Sequence, residues 1–141
     1  MFVDTHCHLY RSYYEDFDDV IEQIKKSEIY RVINNGCDKN SNIEILELVG
    51  KYDLMYGALG IHPESANEYT QEDLDYIEEH IKDKKIVAIG EIGLDFSKSG
   101  ISTKEIQISV LRKILSELKG KKKIVSVHSR KAERELFLKG E

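Results

Sequence analysis

The run Lys84-Lys85-Ile86-Val87-Ala88-Ile89-Gly90-Glu91-Ile92-Gly93-Leu94-Asp95 decides the fold. Residues 86–94 are aliphatic and rich in β-branched side chains, and charge bounds them on both sides, which reads as a strand. On its N-terminal side Leu74, Ile77 and Ile81 share a helical face, with Thr70 as the cap. On its C-terminal side Ile106, Val110 and Ile114, joined by Leu111, Leu115 and Leu118, predict a long helix. Further out the same alternation repeats. Met55 to Ile61 is a strand stopped at His62-Pro63, and Arg31-Val32-Ile33 is another, with Gly36 at its exit. Between them Ile43, Ile45, Leu46, Leu48 and Val49 predict a helix capped by Ser41 and Asn42. Phe17, Val20, Ile21 and Ile24 recur at i, i+3, i+4 and i+7, predicting a helix over about 17–28. Phe2-Val3 opens the first strand, Lys123 to Ser129 is the fifth, and Lys131 to Lys139 begins a fifth helix.

Strand followed by helix, unit after unit, means an α/β protein with a parallel sheet and helices outside it. Strand starts near residues 2, 31, 55, 86 and 123 fit the repeat of a (β/α)₈ TIM-type barrel. A whole barrel needs roughly 250 residues, so this chain supplies about five of eight β/α units. An open doubly wound sheet is the alternative at this length.

The chain has 141 residues, the size of one domain, with 40% hydrophobic and 33% charged residues. No run of about 18 uncharged apolar residues is present, so no membrane helix is expected. Met1 to Tyr10 lacks the basic region of a secretory signal, and two cysteines make no disulfide framework. The expected compartment is therefore the cytoplasm. The formal charge of −5 excludes a broad basic face for nucleic acid, so a phosphate-bearing substrate would need local neutralisation.

The placement of the polar residues is more specific. Of five histidines, four stand where strands end: His6 and His8 on the first, His62 on the third, His128 on the fifth. Glu91 lies near the end of the fourth, and strand ends are the catalytic side of parallel α/β folds. His6 and His8, two apart, project to one face and can share a metal ion through neutral imidazole nitrogens. Glu91 shares a face with Val87 and Ile89, where an unpaired carboxylate would be costly and a cation removes the problem. An arginine from another strand, Arg130, is the other possible partner. His128 shares its face with Ser126 and Arg130, an arrangement suited to a metal that binds an anionic ester. No Gly-x-Ser-x-Gly elbow, GxGxxG or GxxxxGK[ST] loop exists, which leaves serine hydrolase and nucleotide-cofactor readings without support. Cys7 and Cys37 read as thiols outside the ligand set, His80 as a surface residue at a helix end, and Lys119 to Lys123 as a solvated loop. Lys98, Lys104, Arg130 and Lys131 are the basic residues on the strand-end side.

Four separated motifs then match one pattern: Asp4-Thr5-His6-Cys7-His8-Leu9, Gly60-Ile61-His62-Pro63, Ala88 through Phe96, and Val127-His128-Ser129-Arg130, with Gln107 between the last two. In order, spacing and wording the chain resembles the TatD family of metal-dependent hydrolases from Met1 to about Ala132. The resemblance implies a barrel of the amidohydrolase kind and DNA phosphodiester cleavage by a metal-activated water. It implies two divalent metal ions per complete site (zinc, magnesium or manganese). His6 and His8 would hold one metal, Glu91 would bridge both and act catalytically, and His128 would bind the second. His62 and Arg130 would contact the substrate phosphate, and Asp95 matches a further position near the site. A further His and Asp from later strands of the family have no counterpart before Glu141, so residues 1–141 are expected to form a domain incomplete at its C-terminus and impaired alone. The approach to the fifth strand, Lys119 to Lys123, replaces a proline-containing one. DNA is the expected partner, with no membrane and with self-association through the uncovered sheet. Two rivals remain: a C–N hydrolase of the amidohydrolase type, against which a glutamate at position 91 argues, and a non-catalytic metal-binding or assembly protein.

Overall fold

A computed structural model of the chain describes residues 1–97 and 100–138. Five strands alternate with five helices: β1 (Phe2–Cys7), α1 (Phe17–Lys26), β2 (Ile29–Asn35), α2 (Lys39–Lys51), β3 (Met55–Leu59), α3 (Gln71–His80), β4 (Ile86–Asp95), α4 (Lys104–Glu117), β5 (Ile124–Arg130) and α5 (Glu133–Leu138). The strands stand in the order β1-β2-β3-β4-β5, and every neighbouring pair is parallel. A doubly wound sheet reverses its strand order at a switch point, whereas a barrel adds strands in sequence. The sequential order therefore makes this five-stranded sheet a half-barrel. Among the described residues no helix is long and apolar enough to cross a membrane.

Local chemistry accounts for the element boundaries. Asp16 caps α1 by accepting from the Asp19 N–H, and Asp18 and Asp19 suit the positive end of the helix dipole. The cap of α2 is Asp38, one turn earlier than the sequence pattern predicts, because Asp38 and Ser41 close a reciprocal capping box. Asn42 is freed for another task. Fully buried, its amide donates to the Gly60 carbonyl at 2.8 Å and accepts from the Gly60 N–H at 3.1 Å, fixing the exit of β3. Thr70 precedes α3 as predicted, with the Asp73 carboxylate accepting from its backbone N–H.

Helices α2 and α4 pack chiefly on β3 and β4. Ile45, Leu48, Leu59, Leu74, Ile77, Ile86, Ile92 and Ile114 are fully buried. Each such side chain stabilises the fold by roughly 1.5–3 kcal/mol, so stability resides in this helix-covered layer. The sheet edges differ: Phe2 is 64% exposed on β1, and Ile124 is 75% and Val127 46% exposed on β5.

Register shifts interrupt β1–β2 between Asp4 and Cys7, β3–β4 at Gly57/Ala58, and β4–β5 between Ile89 and Ile92. A one-residue shift exchanges the two faces, so faces counted by simple alternation hold only between shifts. Two glycines allow the strand ends to close up. A Cβ on Gly60 would lie 2.4 Å from the Gly90 carbonyl carbon, against the peptide that carries Glu91. Gly93, at φ +149°, would place one 2.0 Å from the His128 carbonyl oxygen. Any larger residue at either position would push β3 from β4, or β4 from β5, where the site residues stand.

Candidate metal centre

Glu91 is the centre of the polar cluster. It is 7% exposed, and its two carboxylate oxygens face different partners. Oε2 lies 3.4 Å from His6 Nε2 and 3.3 Å from His8 Nε2, while Oε1 lies 3.1 Å from His128 Nδ1. Two groups able to hold a metal ion result, His6–His8–Glu91 and His62–Glu91–His128, and Glu91 belongs to both. On β4 it stands between Gly90 and Ile92, and the polar partners of its carboxylate are the imidazoles of His6, His8 and His128.

The hydrogen-bond partners of each ring decide which nitrogen can serve as a ligand. His8 Nδ1 lies 3.0 Å from the Asn35 carbonyl, which can only accept, so Nδ1 carries the proton. In the neutral ring Nε2 then keeps its lone pair, and it points to His6 Nε2 at 3.2 Å and to Glu91. A ligating histidine is held the same way, its far N–H fixed by a carbonyl or carboxylate. His6 Nδ1 meets the Ser126 hydroxyl of β5 at 3.1 Å. The convergence of two imidazole nitrogens and a carboxylate oxygen within 4.8 Å is a donor set that fits a divalent cation.

His62 is different. Burial lowers its pKa, and the neighbouring His128 lowers it further, so the ring is held neutral. Its Nδ1 accepts the Glu64 backbone N–H at 3.2 Å, which leaves its single proton on Nε2. In this state His62 presents a donor rather than a lone pair, although its ring stands edge-on to His128 with centroids 4.4 Å apart. Asp95, at the end of β4, is 2% exposed. Burial opposes its ionisation, but hydrogen bonds from Ser97 and then from His128 outweigh that and hold its carboxyl at about 2.

The structure thus brings His6, His8, His62, Glu91 and His128 together from four strand ends. Arg130 is exposed on β5 opposite Asp95 and is not part of the cluster's hydrogen bonds. Lys104 is engaged with Glu135 at 3.0 Å, Lys131 is exposed, and Lys98 lies outside the described residues. Cys7 bonds the Ile33 carbonyl, and burial raises its thiol to about 12; burial likewise raises Cys37 to about 11. Both stay protonated and neither belongs to the ligand groups. Far from the cluster, His80 Nδ1 bonds the Tyr76 carbonyl in the last turn of α3, and Lys121 pairs with Glu78. The supporting roles of the Asn35 carbonyl and of Tyr10, whose hydroxyl donates to that same carbonyl, are not apparent in the sequence. A backbone acceptor leaves no residue-type signal.

Successive parallel β/α units with an imidazole–carboxylate cluster at their strand ends have the layout of the barrel-type metal-dependent hydrolases. The family described as TatD related DNase matches residues 3–138, and the chain belongs to that family. It is 37% identical over 133 residues to the uncharacterized metal-dependent hydrolase YabD of Bacillus subtilis (strain 168), covering 94% of this chain and 52% of that protein. It is 36% identical over 146 residues to the human deoxyribonuclease TATDN3, covering 94% and 53%. The crystal structure of the TatD homolog YJJV from Escherichia coli superposes with a TM-score of 0.87 at 27% identity, over 98% of this chain and 54% of that one. The chain therefore spans about half the length of these relatives.

Proposed function

We propose that this chain forms the N-terminal, metal-holding part of a TatD-type deoxyribonuclease that cleaves phosphodiester bonds in DNA. The observation that carries the reading is Glu91, buried and shared between two ligand groups. His6, His8 and Glu91 would hold one divalent ion, and Glu91 with His128 a second; zinc, magnesium and manganese all accept nitrogen and oxygen donors of this kind. When bound, such ions make a water nucleophilic at neutral pH and neutralise developing charge on phosphoryl oxygens. The chain's own residues do the rest. The Asn35 carbonyl fixes the His8 ring with its Nε2 toward Glu91. His62 offers an Nε2–H donor suited to an anionic phosphoryl oxygen, and the exposed Arg130 guanidinium suits the adjoining phosphate. These local cations and donors supply what a net charge of −5 does not.

The test joins this chain to the second half of the Bacillus subtilis relative and follows cleavage of single- and double-stranded DNA. The chimera is expected to cleave DNA with manganese or zinc, to stop on chelation, and to lose at least ~100-fold in turnover with His6→Ala or His128→Ala. Residues 1–141 alone are expected to show little activity. Turnover of amide substrates or RNA with none of DNA would overturn the assignment.

A further inference from the structure

The His128 ring lies between two carboxylates at nearly equal distance: Nδ1 is 3.1 Å from Glu91 Oε1 and Nε2 is 3.0 Å from Asp95 Oδ2. A neutral imidazole has one proton and can donate to only one of them. We propose that Asp95 is a positioning residue, which holds the His128 proton at Nε2 and thereby presents the Nδ1 lone pair toward Glu91 and the metal.

The two carboxylates are held very differently. Every polar group of Asp95 is engaged. Its Oδ1 accepts the Ser97 backbone N–H at 2.8 Å. Its own N–H donates to Gln107 Oε1 at 2.8 Å, and its carbonyl accepts from Gln107 Nε2 at 2.9 Å. Gln107, 1% exposed on α4, also donates to the Gly100 carbonyl at 2.9 Å and to the Thr103 hydroxyl at 2.8 Å. One buried amide thus ties the end of β4 to the turn before α4 and holds the Asp95 carboxylate with Oδ2 toward His128. Glu91 is also held at its backbone, where its N–H donates to the Gly36 carbonyl at 2.8 Å, but its carboxylate is divided among three imidazoles. A fixed acceptor captures the ring proton; a shared one is free to take a cation. Carboxylate, imidazole and metal in line is the arrangement by which an outer partner sets the tautomer of a ligand.

This inference rests on the metal-centre reading, but it has a readout of its own. The chain is labelled with ¹⁵N in its histidines, and the ring nitrogens of His128 are assigned by their loss in His128→Gln. At a pH where the ring is neutral, the expected signal is a proton on Nε2 and none on Nδ1, without metal and again with zinc. Asp95→Asn is expected to release that tautomer and to weaken zinc binding by about 10–100-fold. A proton found on Nδ1 in the wild type would overturn the proposal, as would an Asp95→Asn chain that folds and binds zinc with unchanged affinity. If Asp95→Asn does not fold, the wild-type tautomer alone decides. A wild type that takes up no zinc overturns the metal-centre reading, while the metal-free tautomer still decides the role of Asp95.

Discussion

Glu91→Ala is expected to remove zinc or manganese binding from both ligand groups at once. Loss of an outer partner of a ligand costs about 10–100-fold in metal affinity, and Glu91 is the one side chain the two groups share. The expected loss is therefore at least ~100-fold, with no second site surviving. Isothermal titration on wild type and variant measures it directly. The fold should tolerate the change: a carboxylate at 7% exposure recovers its desolvation cost only partly from three imidazoles, so thermal unfolding should move by a few degrees at most. Equal binding by the two chains would mean that Glu91 does not bridge.

The isolated chain is expected to self-associate through its sheet edges. β1 and β5 each have one neighbouring strand, and their unpaired backbone groups flank exposed Phe2, Val3, Ile124, Val125 and Val127. Asp4 and Arg130 are the only Asp, Glu, Lys or Arg on these two edges and no proline blunts them, and apolar edges of this kind template pairing with another chain. Sedimentation or size-exclusion chromatography over a concentration series should show dimers or larger species. Val125→Lys combined with Val127→Lys should move the distribution to monomer, because both side chains are already exposed and the core does not depend on them. A wild type that stays monomeric at every concentration and cleaves DNA fully would contradict both the half-barrel and the expected impairment.

The fold was legible because its signals are local. Aliphatic runs such as residues 86–94 and helical faces such as Leu74–Ile77–Ile81 carry their period in the sequence. Strand order, by contrast, is a long-range property, and β/α spacing alone is compatible with a doubly wound sheet as well as with the sequential order of the structure. The cap of α2 was not legible, because Ser41 and Asn42 have the right chemistry for a cap while Asp38 satisfies the geometry and Asn42 is drawn into Gly60. At the site, His6, His8, Glu91 and His128 announce themselves as polar residues at strand ends. The distinction between His62 and the other histidines is invisible there. It depends on the Glu64 backbone N–H occupying His62 Nδ1, and on the Asn35 carbonyl occupying His8 Nδ1, neither of which any residue type encodes. Asp95 and Gln107 stand out in the motif pattern, but only their mutual hydrogen bonds show what they hold in place.

Anomalous diffraction from zinc-soaked crystals of the chain would show whether these strand ends form a divalent-metal site. A zinc peak bounded by His6 Nε2, His8 Nε2 and Glu91 Oε2 is expected. Crystals that bind zinc only at surface residues, or not at all, with those three side chains unchanged, would contradict a metal site there.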